Sequence, residues 1–140
     1  MLTRMCIRCC ASLRLHWLNR TQVPTCEALL SNGQVSPVQV GDMHVARAWH
    51  CAVACGDLVY VMGGADNAQR YLSSVERCSV HDGKWLPCAP MTTTRYGFAA
   101  VALDGFIYCI GGYDGETWLS SVERYSADRC APRLPTSQRR

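Results

Sequence analysis

Ten cysteines and four histidines are the residues in this 140-residue chain whose chemistry must be placed first. Cys6 and Cys9 stand in the Cys-x-x-Cys spacing that supplies half of a tetrahedral zinc shell. The other half, drawn from Cys10, His16 and Cys26, is a lone histidine and lone thiols without paired spacing, so no metal site and no cofactor are expected. Catalytic constellations are also missing from the sequence. There is no Gly-x-Ser-x-Gly elbow, no His-Glu-x-x-His helix and no Gly-x-x-x-x-Gly-Lys phosphate loop, and His16, His44, His50 and His81 sit in unlike contexts. Glu76 and Glu123 recur within the same six-residue string, which points to a structural duty rather than a paired acid and base. The chain is read as a non-enzyme without catalytic residues.

Cys51, Cys55, Cys78, Cys88 and Cys109 lie in or beside apolar runs at irregular spacing, where a thiol behaves as a small hydrophobe. The first 20 residues carry Arg4, Arg8, Arg14 and Arg20 and no uninterrupted apolar stretch, unlike a secretory leader. Acid-poor arginines also suit a mitochondrial leader, against which the cysteine cluster counts. A reducing, cytoplasmic setting is expected. Net charge divides as +3 over residues 1–40, −4 over 41–128 and +4 over 129–140. The acidic middle has no basic stripe interleaved with aromatics, which argues against nucleic acid as a partner. The longest apolar runs, Phe98 to Leu103 and Phe106 to Ile110, are strand-sized and far short of the roughly 20 residues that span a bilayer, so no membrane partner is expected either.

What positions these residues is a repeat. A shift of 48 lays Arg47 on Arg95, Ala52-Val53-Ala54 on Ala100-Val101-Ala102, Tyr60 on Tyr108, Gly63-Gly64 on Gly111-Gly112 and Asp66 on Asp114. Beyond the next loop the shift becomes 47, and Leu72-Ser73-Ser74-Val75-Glu76-Arg77 falls on Leu119-Ser120-Ser121-Val122-Glu123-Arg124 without a mismatch. Each copy reads as short strands: an apolar run, a Gly56-Asp57 or Asp104-Gly105 hairpin dipeptide, a second run rich in β-branched and aromatic residues, a loop of about ten residues, and a third strand from Val75 or Val122. A fourth strand follows in the first copy around Trp85, after His81-Asp82-Gly83. Four antiparallel strands per unit describe one blade of a β-propeller. The paired glycines Gly63-Gly64 and Gly111-Gly112 permit positive φ and close backbone approach, while Trp85 supplies planar area between twisted sheets.

The string Arg47, Leu58-Val59-Tyr60-Val61-Met62-Gly63-Gly64, Ser74-Val75-Glu76-Arg77, Trp85 and Pro90-Met91 resembles the kelch repeat. The second copy, from Arg95 through Tyr108-Cys109-Ile110-Gly111-Gly112-Tyr113-Asp114-Gly115 to Val122-Glu123-Arg124-Tyr125, matches it again and then stops short, with Ala127 to Pro132 where a second tryptophan belongs. The resemblance implies an all-β chain, an incomplete propeller of about two four-stranded blades with irregular termini. The expected divisions are an irregular basic segment at 1–40, blade 1 at 41–91, a truncated blade 2 at 92–128 and a disordered basic tail at 129–140. A fragment or short isoform of a longer protein is expected, with an exposed sheet face on each side. Such a chain should self-associate or need further blades.

In the family that this chain resembles, the loops entering the first strand and those after the paired glycines hold partner peptides. By position the match is Arg47, Trp49, Arg95, Tyr96, Tyr113, Asp114 and Trp118, a set suited to an acidic or phosphorylated peptide of a ubiquitination substrate. The alternative for Arg47 and Arg95 is that both bind loop carbonyls inside their blades. The implied function is a protein-interaction module like the substrate-recognition propeller of a cullin-based ubiquitin ligase adaptor. An actin-associated kelch scaffold and a non-functional truncated isoform are the alternatives.

Overall fold

β-Branched and aromatic runs on either side of a tight turn pair antiparallel, and the turn dipeptides set where. Asp104 and Gly105 both take positive φ, 50° and 75°, as a type I′ hairpin requires. The computed structural model describes residues 25–29, 35–39, 41–79 and 81–132, and every regular element among them is a strand. β3 (Cys51–Cys55), β4 (Leu58–Met62), β5 (Val75–Ser79) and β6 (Trp85–Cys88) form one meandering sheet, blade 1. Blade 2 repeats it with β7 (Ala99–Leu103), β8 (Phe106–Ile110), β9 (Val122–Ser126) and β10 (Ala131–Pro132). Registers agree between the copies: Tyr60 lies opposite Val53 and Arg77, and Tyr108 opposite Val101 and Arg124.

Two expectations about the ends are corrected. Blade 2 does not stop at residue 128: Cys130, at φ 47°, turns the chain back and Ala131 and Pro132 pair with Ser126 and Tyr125. Proline is tolerated there because the strand is at the sheet edge, where no further ladder bond is needed. Residues 133–140 lie outside the described residues. Upstream, β1 (Thr25–Leu29) and β2 (Val35–Gln39) form a hairpin within the segment read as irregular. Its register puts Glu27 opposite Pro37 and Leu29 opposite Val35, as β5 and β6 put Glu76 opposite Pro87 and Cys78 opposite Trp85. β1 and β2 thus repeat the third and fourth strands of a blade, with the intervening loop one residue shorter. The unabsorbed signal was Asn32-Gly33, the strongest short hairpin dipeptide, in that connection. The candidate zinc ligands Cys6, Cys9, Cys10 and His16 lie outside the described residues, and no group of three or more His, Cys, Asp or Glu that could hold a metal occurs among the described ones.

The pleat sends alternate residues to opposite faces, and the blades join through one face of each. Tyr60, Met62 and Val75 of blade 1 are buried with Ile107, Cys109, Tyr125 and Ala127 of blade 2, and with Met91 and Phe98 from the segment between the blades. Both buried phenols have acceptors: Tyr60 donates to the Ala127 carbonyl (2.9 Å) and Tyr125 to that of Ala89 (2.7 Å). The other face of blade 1 is closed too, with Val61, Cys78 and Trp85 packed on Met43 and Ala52, and the Trp85 indole N–H donating to the Gly41 carbonyl (2.7 Å). Of the two four-stranded blades, blade 2 is the one whose outer face carries exposed large apolar side chains. On blade 2, Val101, Leu103, Ile110 and Val122 are between 44% and 58% exposed. Their repeat equivalents Val53, Cys55, Met62 and Val75 all belong to the junction between the blades.

Candidate functional site

The two repeated arginines organise the loops from inside. Arg47 Nη1 donates to the carbonyls of Gly63 (3.0 Å) and Ser74 (2.9 Å), and Nη2 to Glu76 Oε1 (2.7 Å). Glu76 also accepts the backbone N–H groups of His44 (2.7 Å) and Val45 (3.1 Å). Burial acts to raise the Glu76 carboxyl, but these N–H bonds and the Arg47 guanidinium outweigh it and hold the group below its ordinary value. Arg95 repeats the pattern, donating from Nη1 to the carbonyls of Gly111 (2.7 Å) and Ser121 (3.2 Å), with its Nε 3.7 Å from Glu123 Oε2. Glu123 in turn accepts the Thr92 N–H (2.6 Å). Each arginine is 1% exposed. Arg47 and Arg95, expected at the partner surface, thus follow the alternative reading: both are buried against loop carbonyls and a glutamate inside their blades, and Nε of each makes no hydrogen bond.

The paired glycines sit beside these arginines. Gly63, Gly64, Gly111 and Gly112 all take positive φ, from 60° to 91°. A Cβ on Gly63 would stand 2.4 Å from the Arg95 carbonyl oxygen and 2.8 Å from the Phe98 ring, so the close approach at the junction requires its absence.

After each glycine pair an aspartate folds the long loop on itself. Asp66 Oδ1 accepts the N–H of Ala68 and of Arg70, both at 2.9 Å; Asp114 Oδ1 accepts those of Glu116 (2.8 Å) and Thr117 (2.7 Å). Backbone N–H donors hold both carboxyls below the usual aspartate range, Arg70's leading at Asp66 and Thr117's at Asp114. Asp114 therefore shapes the loop that carries the aromatic residues beside it. Single backbone bridges complete the frame: Ala48 to Ala65 to Tyr71 in blade 1, and Tyr96 to Tyr113 to Trp118 in blade 2.

That frame gathers the remaining expected residues into one surface. Trp49 lies against Tyr96 (ring centroids 5.7 Å), Tyr96 against Tyr71 (5.5 Å), Tyr71 against Tyr113 (5.6 Å) and Tyr113 against Trp118 (5.3 Å). Five rings thus form a continuous ladder, ending in Trp49 at 68% and Trp118 at 78% exposed. Tyr71 was absent from the expected set. Its signal was its place at the Trp118 position of the first copy, at the shift of 47. Trp49 occupies the position of Gly97 in the repeat and, like it, has positive φ, 57° against 62°. For a bulky side chain that backbone is strained.

A family model for the kelch motif matches residues 46–92 and 94–128, more than half of the chain. Among curated proteins the chain is similar to alpha-scruin of Limulus polyphemus, 37% identical over 79 residues, covering 56% of this chain and 9% of that protein. It is similar to human Kelch-like protein 33, 37% identical over 90 residues (60% of this chain, 17% of that one), and to human Kelch-like protein 4, 35% identical over 65 residues (46% and 9%). The chain spans less than a fifth of the length of each of these relatives. With the motif matched across both described blades, the chain belongs to the kelch-repeat family, and its two four-stranded sheets are propeller blades that, among the described residues, do not close into a ring.

Proposed function

We propose that the chain is a protein-interaction module whose contact surface is the loop face formed by Trp49, Tyr71, Tyr96, Tyr113 and Trp118, with Asp114 holding the loop. Kelch repeats support partner binding as the coarse function. The observation that carries the finer reading is the five-ring ladder, whose two terminal indoles are mostly exposed. Large exposed aromatics cost solubility and are enriched at the centres of interfaces. Similarity to two kelch-like proteins supports the substrate-recognition part of a ubiquitin ligase adaptor as the setting, with an actin-associated scaffold as the alternative. The thiols of Cys51, Cys55, Cys88, Cys109 and Cys130, none of them in a disulfide, support a cytoplasmic location, and no helix among the described residues is long and apolar enough to cross a membrane. In this reading the partner docks on rings, since the arginines that favoured an acidic peptide are internal. Affinity capture with the full chain and with the Trp49→Ala/Trp118→Ala variant tests it. Ligase components retained by the native chain and lost by the variant support the adaptor reading, and actin lost in the same way supports the scaffold. A partner held equally by both chains would remove the loop face from the interface.

A further inference from the structure

The ladder has properties that restrict its ligand. Its backbone is already committed: Ala48 and Ala65 exchange two N–H bonds at 2.8 Å, Tyr96 and Tyr113 exchange two at 3.0 and 2.9 Å, and Asp66 and Asp114 close their loops onto Arg70 and Thr117. A peptide that binds by adding a strand would find no free edge among these groups. An extended ligand that docks here needs no backbone partners, which is the property of polyproline II, whose backbone is solvated and whose shape is formed before binding.

Ring geometry agrees. Trp49 and Tyr96 are tilted by 48° and Tyr113 and Trp118 by 53°, while the central Tyr71 stands edge-on to its neighbours at 69° and 83°. Rings in contact at 5.3–5.7 Å present one continuous aromatic surface, on which compact apolar rings that lose little entropy on docking can lie, as proline does. Tyr71 packs closely on Gly115, at φ 112°, where a Cβ would come within 2.9 Å of the tyrosine ring. The strained backbone of Trp49, at a position where the second copy has glycine, holds an indole at the end of the row that packing alone does not require.

Charge then selects among extended peptides. Arg47 and Arg95 are buried with Glu76 and Glu123, and the guanidinium of Arg70 is paired with Asp66 at 2.7 Å. Asp114 and Glu116, in the loop that bears Tyr113 and Trp118, have no cationic side chain paired with them among the described residues, so the surface is acidic as well as aromatic. Ring faces and carboxylates both attract a cation. We infer that the ladder of Trp49, Tyr96, Tyr71, Tyr113 and Trp118 binds an extended, proline-rich segment carrying lysine or arginine, the prolines lying on the rings and the cation meeting Asp114 and Glu116. This rests on the loop face being the contact surface and names the chemistry that it takes.

The test is selection of phage-displayed random dodecapeptides on the immobilised full chain, followed by titration of the enriched peptides in solution against the native chain, Trp49→Ala/Trp118→Ala and Glu116→Lys. The expected peptides contain two or more prolines and a lysine or arginine. They should bind the double tryptophan variant at least about tenfold more weakly, lose about fivefold on Glu116→Lys, and weaken as salt rises from 0.05 to 0.5 M. Glu116 and Trp118 are exposed, so folding survives their replacement; far-UV circular dichroism and an unchanged urea midpoint verify this for each variant. Enriched peptides that are acidic or proline-free, yet depend on the two tryptophans, would overturn this inference and leave the loop-face reading standing. Peptides insensitive to the double variant, or no enrichment at all, would overturn both.

Discussion

Gly63 and Gly56 have almost the same backbone, φ 60° and 62°, and opposite surroundings. An alanine at either position carries a left-handed conformation costing roughly 1–2 kcal/mol. At Gly56, where a Cβ would meet nothing within 4 Å, that is the whole loss. At Gly63 the added methyl group would lie 2.4 Å from the Arg95 carbonyl oxygen, 2.8 Å from the Phe98 ring and 3.1 Å from the Met91 methyl carbon, so the second blade must shift. The shift breaks the Gly64 N–H bond to that carbonyl (2.8 Å), worth about 1 kcal/mol, and strains the junction core by a further ~1–3 kcal/mol. Gly63→Ala should therefore be less stable than Gly56→Ala by about 2–4 kcal/mol, the conformational cost cancelling in the difference. Urea unfolding at low micromolar concentration, followed by the fluorescence of buried Trp85, gives both values. Losses equal within about 0.5 kcal/mol would mean that the blades do not meet at Gly63, and the junction described above would be wrong.

The open face of blade 2 should drive association, each of Val101, Leu103, Ile110 and Val122 carrying roughly 1.5–3 kcal/mol of unused burial as an upper bound. Val101→Lys/Leu103→Lys should move the chain toward a 15.5 kDa monomer in sedimentation velocity, and an unchanged distribution would place self-association elsewhere. Because the Glu76 carboxyl is held below its ordinary value of 4.5 in the folded chain, its contribution is complete above about pH 4.5 and is lost as pH falls through the depressed native value. Urea midpoints should drop below pH 4.5, and less steeply in Glu76→Gln; identical slopes in the two chains would show that the buried pair does not sense acid. Burial, reinforced by the Glu123 charge, pushes the Cys109 thiol up to about 12, so it should resist iodoacetamide at pH 8 until denaturant is added. Alkylation of Cys109 in the native chain as fast as in the denatured one would contradict its burial.

The strands β3 to β9 were legible because two near-identical copies of one string fix both register and face. The β1–β2 hairpin was not, since its counterpart of Trp85 is Val35 and its shorter loop shifts Glu27 and Pro37 by 49 and 50 residues from Glu76 and Pro87. A single fixed shift cannot find a half-blade that has lost its tryptophan. The arginines illustrate a different gap. Arg47 recurs with Glu76, and Arg95 with Glu123, at nearly constant separation, and that joint recurrence pointed to an internal ion pair more than to a surface. Which rings touch was beyond reach, because the Tyr71 contacts cross from one blade to the other and depend on how two twisted sheets dock.

The ladder draws Trp49 and Tyr71 from one blade and Tyr96, Tyr113 and Trp118 from the next, so anything bound along it straddles the seam between two sheets. Recognition and cohesion then become linked quantities. A ligand that holds only the docked arrangement adds about 2.7 kcal/mol to the stability of the seam at a hundred times its dissociation constant. That is the scale of the loss expected from Gly63→Ala, so a saturating peptide would act as a strap that restores the loosened pair. By the same linkage, loosening the seam weakens the grip on the peptide, and an unclosed pair of blades would be held most firmly together while occupied.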